Sequence, residues 1–219
     1  MSLARDFTLR ENRGEASDRR GKGLIFVTSG PSGSGKTTLI KKLLSSSDLK
    51  GLLIRPVSLT TRPKRKGEEN GKDYHFLTRE ELILKRKSRG LLESTEYLGH
   101  LYGTEKRVIR KLLEEKKNIL LCLDTRGAFK IKRMYPDNSV LIFILPATLG
   151  VLRKRLLGRS KEKNFSLDKR LEKAKEELLL AKDYDYRVIN DRIERAVKRL
   201  KKIIFKEMYG ISIFGETLR

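Results

Sequence analysis

The sequence predicts an α/β protein built on a parallel sheet, and three observations carry that reading. Short apolar runs recur at 23–29, 118–123, 139–145 and 186–190, with stretches at helical spacing between them. Strands that are apolar throughout, rather than alternating, belong to a sheet covered by helices on both faces. The first run stops at Gly30-Pro31-Ser32-Gly33-Ser34-Gly35-Lys36-Thr37, which leads directly into a helical pattern. From 58 to about 104 the strand–helix rhythm breaks, which marks an inserted mixed α/β subdomain.

Taken in order, residues 1–22 read as a flexible extension, and Gly23 to Ser29 as a buried strand that ends at Gly30. A helix is expected from Thr37 to about Ser46, and a short strand from Ile54 to Val57. Residues 58–77 are polar, with Pro63, Gly67 and Gly71, and alternate like a strand only at Asp73-Tyr74-His75-Phe76. Thr78-Arg79-Glu80-Glu81 fits a capping box and opens a helix that ends near Gly90. Thr104 begins a second charged helix running to about Lys117. Asn118 to Leu123 is a buried strand ending in Asp124. Helix 127–134, strand 139–145, helices 148–158 and 167–182, strand 186–190 and helix 191–207 follow, then a tail at 208–219.

A chain of 219 residues suits one domain with small appended parts. Lys and Arg number 51 against 28 Asp and Glu, a net charge of +23 that attracts anions. The basic helix from Arg192 to Lys202 lacks the interleaved aromatic residues that single-strand binders use, so no nucleic-acid partner is expected. One cysteine excludes an intrachain disulfide. The apolar run from Val140 to Leu145 is far too short to span a membrane, and the first twenty residues carry no secretory pattern. A soluble cytoplasmic protein is expected. Nothing in the sequence distinguishes a monomer from a homo-oligomer.

The glycine-rich stretch matches G-x-x-x-x-G-K-[ST] in full. Its glycines let successive backbone N–H groups converge on phosphate oxygens, and the helix that follows adds the positive end of its dipole. Lys36 is placed to reach the β- and γ-phosphates of a nucleoside triphosphate. The Thr37 hydroxyl, beside Thr38, is placed to hold Mg²⁺. A second acid is required at the end of a later strand, and Asp124 supplies it. Asp124 also suits the N-cap of the next helix, and the two roles are compatible. In the insertion, Arg62 and Arg65 stand three apart, with Glu68 and Tyr74 following. Two guanidinium forks and a phenol meeting at one point would clamp a second phosphate, although such a run taken alone also suits a solvated basic loop.

The pattern Ser58-x-Thr60-Thr61-Arg62-x-x-Arg65-x-Gly67-Glu68-x-x-Gly71-x-Asp73-Tyr74-x-Phe76 resembles the guanylate kinase signature. The likeness continues through Leu91 to Thr104, Leu123 to Ala128, Leu152 to Arg159 and Val188 to Ile204, so that it covers about residues 23–207. The resemblance implies the Mg²⁺-dependent reaction ATP + GMP ⇌ ADP + GDP. It divides the chain into a core at 23–56, 105–149 and 171–207, a GMP-binding subdomain at 57–104 and a helical lid at 150–170. It further implies that Arg62, Arg65, Tyr74 and Tyr102 hold the GMP phosphate, with Glu68 orienting the arginines. Glu93 would read guanine through its N1–H and 2-amino donors, with Ser58, Thr104 and Asp124 completing the site. Arg155, Arg159 and Arg170 resemble lid arginines that arrive on closure; with Lys36 they form the expected catalytic set.

Four departures stand out. Cys122 takes the place of an acid two residues before Asp124, and Arg126 the place of a glutamine. Ser160 replaces a glycine, and the lid loop 160–166 is basic. His75 and His100 read as packing or surface groups, and Cys122 as a small buried core residue. Two other classes share parts of this pattern. Phosphopeptide-binding scaffold domains resemble the fold with a degraded nucleotide loop, which the intact Lys36-Thr37 argues against. Kinases of phosphorylated ribose share the loop, but Ser58 and Glu93 as base readers argue against them.

Overall fold

The structure, a computed structural model, describes residues 23–97, 99–158 and 167–210. In chain order its elements are β1 (Ile25–Ser29), α1 (Lys36–Leu44), β2 (Leu53–Ile54), β3 (Leu59–Thr60), β4 (His75–Phe76), α2 (Arg79–Lys87), β5 (Leu91–Tyr97) and β6 (His100–Glu105). They continue with α3 (Lys106–Glu114), β7 (Asn118–Cys122), α4 (Thr125–Met134), β8 (Ser139–Pro146), α5 (Leu149–Leu157), α6 (Leu167–Leu179), β9 (Tyr186–Asn190) and α7 (Ile193–Tyr209).

Five strands form a parallel sheet in the order β2-β7-β1-β8-β9. Both faces of this sheet are buried, as the uninterrupted apolar runs require. Along β1 and β8 the side chains alternate between faces. Phe26, Val140, Ile142 and Ile144 join Leu39, Ile40 and Leu43 of α1 and Leu200, Ile203 and Ile204 of α7. Ile25, Val27, Leu141 and Phe143 join Ile109 of α3 and Ala128 and Ile131 of α4. Each such large side chain contributes about 1.5–3 kcal/mol through its removal from water. The strands that follow β1 in the chain lie on both sides of it, so a crevice opens beyond its C-terminal end, where ligands bind in sheets of this kind. Gly30 sits at that crevice.

A second, mixed sheet in the order β4-β3-β6-β5 lies within residues 59–105. Its own core is small: Leu59, Leu82 and Leu101, with Leu77, Ile83 and Leu91 partly buried against them. The capping box that opens α2 is present in both directions: Glu81 N–H donates to the Thr78 hydroxyl, and Thr78 N–H donates to the Glu81 carboxylate.

Three local expectations need correction. Thr104 does not begin a helix; it lies in β6 opposite Glu93 of β5, and α3 starts at Lys106. The β5–β6 hairpin carries polar residues toward the crevice, which hid its strand pattern. The strand expected at Ile54 to Val57 is only Leu53–Ile54, since Pro56 has no N–H to continue a ladder. The helix expected to reach 182 is α6 to Leu179, followed by a 3-10 turn over Leu180–Asp183.

Candidate active site

The loop from Gly30 to Lys36 is held by side chains behind it. At Gly30, with φ 142°, a Cβ would run into the Ile144 carbonyl; at Gly35, with φ 92°, it would run into Asn190 Nδ2. Only glycine fits either place. Asn190, buried at the end of β9, donates to the Ser34 carbonyl at 2.7 Å. Arg155 Nη1 donates to the Gly33 and Ser34 carbonyls at 3.3 and 3.4 Å. The Ser34 hydroxyl is buried without a partner of its own. Lys36 is folded back, donating from Nζ to the carbonyls of Gly30 and of Pro31, the latter at 3.0 Å. Its ammonium therefore occupies the loop's own acceptors, which a phosphate can replace.

The end of β7 is tied to the end of β1. Thr28 and Ser29 hydroxyls donate to the carbonyls of Leu121 and Leu123, each at 3.0 Å. This sets Asp124 beside the loop. Asp124 caps α4, accepting from Gly127 N–H at Oδ1 (2.8 Å), and also accepts from the Thr95 hydroxyl at Oδ2 (2.7 Å). The capping role expected of it is therefore present. Glu93 is 2% exposed and accepts from the Thr104 hydroxyl at 2.7 Å. Burial, and next the charge of Asp124, push its carboxyl up to about 7 against the Thr104 bond.

Across the second sheet, Arg62 is 6% exposed and donates from Nη2 to both oxygens of Glu68, at 2.8 and 3.0 Å. The backbone N–H of Arg65 donates to the same carboxylate at 2.8 Å. Burial alone would raise the Glu68 carboxyl, but these bonds hold it below its ordinary value. The Arg62 guanidinium lies 5.6 Å from the centre of the Tyr74 ring, and Tyr74 meets Tyr102 edge-on at 6.1 Å. Burial raises the Tyr74 hydroxyl to about 12, so it stays a donor at neutral pH.

One cavity joins these parts. Gly30, Ser32, Lys36 and Thr37 line it from the loop, and Ser58, Tyr74, Glu93 and Tyr102 from the second sheet, with Cys122 and Asp124 at the end of β7. Among the described residues its lining does not take in Arg62, Arg65, Thr104, Arg155 or Arg170; Thr104 acts on it through Glu93, and Arg155 through the loop carbonyls. Arg170 is buried on α6, and Pro31, Gly33, Ser34, Gly35 and Thr38 complete the loop and first helical turn. Arg159 and Ser160 lie outside the described residues. Cys122 packs against the core, as expected, but it is only half-buried and also faces the cavity.

The sequence reading missed Thr95, Tyr97, Asn190 and Glu177. Asn190 had a signal in its sequence, a polar residue closing an apolar strand as Asp124 does. Glu177 had another: it falls with Arg170 and Ala174 on the buried stripe of α6. Thr95 and Tyr97 carried none, because the hairpin holding them was not legible.

A crevice at the head of a parallel sheet, with a backbone phosphate cradle and its lysine, defines a P-loop nucleotide-binding protein. The family model described as "Guanylate kinase" matches residues 22–207. A guanylate kinase of Lactococcus lactis subsp. lactis is 42% identical over 192 residues, 88% of this chain and 92% of the relative. One of Thermotoga maritima is 43% identical over 187 residues, 85% of this chain and 88% of the relative. The crystal structure of guanylate kinase from Anaplasma phagocytophilum superposes with a TM-score of 0.72 at 32% identity, covering 87% of this chain and 88% of that one. The chain belongs to the guanylate kinase family.

Proposed function

We propose that this protein transfers the γ-phosphoryl group of ATP to GMP, giving ADP and GDP, and does so in the cytoplasm. The observation that carries the reading is one cavity with the Lys36–Thr37 cradle on one wall and Glu93, Tyr74 and Tyr102 on the other. In this reading residues 57–104 are the GMP-binding subdomain, 150–170 the lid and the rest of 23–207 the core.

The buried carboxylate of Glu93 accepts from guanine N1–H and the 2-amino group. Thr104 holds it in place, and Ser58 and Asp124 flank the base. Adenine offers neither donor there and would leave a buried acceptor unpaired. Arg62, aligned by Glu68, works with Arg65, Tyr74 and Tyr102 to hold the GMP phosphate as a fork and hydroxyl clamp. That phosphate is already an anionic nucleophile, so no general base is needed. Lys36 leaves the Gly30 and Pro31 carbonyls for the β- and γ-phosphates, while Arg155, Arg159 and Arg170 stabilise charge in transfer. Thr37 and Asp124 offer two oxygen ligands on one cavity, a donor set that fits Mg²⁺, which keeps most of its waters and phosphate oxygens. When bound, Mg²⁺ neutralises phosphate charge.

The test is coupled ADP release across GMP, AMP, CMP, UMP and TMP. GMP is expected to exceed AMP by about 10⁴-fold in kcat/KM. Equal turnover of the two purines overturns the reading.

A further inference from the structure

Glu177 of α6 is 6% exposed, lines the same cavity as Lys36, Thr37, Tyr97 and Asp124, and has an oxygen, Oε2, without any hydrogen-bond partner. A buried, underpaired carboxylate is destabilising unless a ligand or a motion completes it. Several charged or titratable groups act on it. Burial raises its carboxyl to about 7, as do Asp124 and its helix neighbour Glu176. Lys36 is the strongest opposing charge, followed by Lys173 on its own helix. Burial, and next the charge of Glu177, raise the Tyr97 hydroxyl; burial, then Asp124 and Glu177, raise that of Tyr184.

Lys36 is the group that must move in the reaction. An ammonium has three N–H donors on a flexible stem, and it is a point charge with no planar preference of its own. Once phosphate draws Lys36 off the loop carbonyls, something on the protein side has to fix its direction. We propose that Glu177 is a positioning residue for Lys36: its carboxylate accepts one ammonium N–H in the nucleotide-bound state and directs the others at the β- and γ-phosphates. This rests on the P-loop reading of the site. It also explains why an acid is kept on a wall that faces anions. Alone, Glu177 would repel the triphosphate; paired to Lys36, it fixes the charge that binds it.

The experiment compares Glu177→Gln, Lys36→Ala and the double variant by binding of a non-hydrolysable ATP analogue with Mg²⁺, by kcat and by thermal unfolding. Glu177→Gln is expected to lower kcat about 10- to 100-fold, the range for partners that orient a functional group. KM for GMP should change less than about twofold, since the acceptor clamp is untouched. Its melting temperature should stay level or rise, because the substitution removes a buried charge that lacks a full partner. In the Lys36→Ala background the Glu177 substitution should change analogue binding no further, since residues acting as a unit are not additive. Tighter analogue binding with kcat unchanged in Glu177→Gln would mean simple repulsion and would overturn the proposal. So would equal effects of the substitution with and without Lys36. A melting temperature lowered in step with kcat would mark a merely structural role and also overturn it. Analogue binding is measured without GMP, so a failure of the acceptor assignment shows in the wild-type acceptor panel and leaves this outcome separate.

Discussion

Replacing Glu93 by Gln should make the protein more stable and less useful. The carboxyl is 2% exposed, and its burial lifts it from the ordinary 4.5 to about 7. A carboxyl whose folded value is raised favours folding in its protonated form. That stability is complete below its unfolded value and is lost as pH rises through its folded one. At about 1.4 kcal/mol per pH unit, the lift from 4.5 to about 7 removes about 3 kcal/mol at pH 8 and less than about 1 kcal/mol at pH 5. Gln keeps the carbonyl that accepts from Thr104 and carries no charge, so the variant should recover most of that energy at pH 8. For a chain of this length about 3 kcal/mol corresponds to roughly 6–12 °C in melting temperature. The gain should shrink toward zero at pH 5. GMP use should fall by about 10²-fold or more in kcat/KM, as a donor amide now faces guanine donors. Thermal unfolding at both pH values and ADP release at pH 8 measure this. A variant less stable than wild type at pH 8, or equally stabilised at both pH values, would refute the electrostatic reasoning.

Arg62→Lys keeps the charge but not the fork on Glu68. It should lose about 2 kcal/mol or more of GMP interaction, a KM rise of about 30-fold. Calorimetry of ATP alone should show no change, and a fall there would move Arg62 to the donor side. Gly30→Ala drives a methyl into the Ile144 carbonyl, so it should destabilise by about 1–3 kcal/mol and abolish ATP binding; normal ATP affinity would contradict the cradle. Asp124→Asn should lose most Mg²⁺-dependent turnover and Cys122→Ser should keep most of it, since a thiolate is a poor ligand for a hard cation. Equal damage from the two would bring the sulfur into the metal site.

The parallel sheet was legible because its strands are buried on both faces: Val140 to Leu145 alternates between two cores, yet every residue is apolar. α2 was legible from four residues, Thr78 to Glu81, because a capping box is local chemistry. The phosphate loop was legible because Gly30 and Gly35 occupy backbone shapes that other residues rarely take. The β5–β6 hairpin was not, since Glu93, Ser94, Thr95 and Glu96 break the alternation that a half-buried strand shows. Those polar residues serve the cavity: Glu93 pairs with Thr104, and Thr95 with Asp124. Pairings over 29 residues or more, such as Thr95 with Asp124 and Asn190 with Ser34, depend on the sheet order and leave no spacing to read.

The small core of the second sheet has a consequence for the protein's survival. Leu59, Leu82 and Leu101 are the fully buried side chains of that cluster, whereas each face of the parallel sheet gathers many more. Segments with few buried contacts open first, well below the free energy of global unfolding. Proteases cut chains in such open states, and a ligand that binds only the closed form suppresses opening in proportion to its concentration. An acceptor bound against Glu93 and Arg62 would be such a ligand. The digestion rate of this segment then becomes a gauge of acceptor supply: scarcity leaves it cleavable, and abundance shields it.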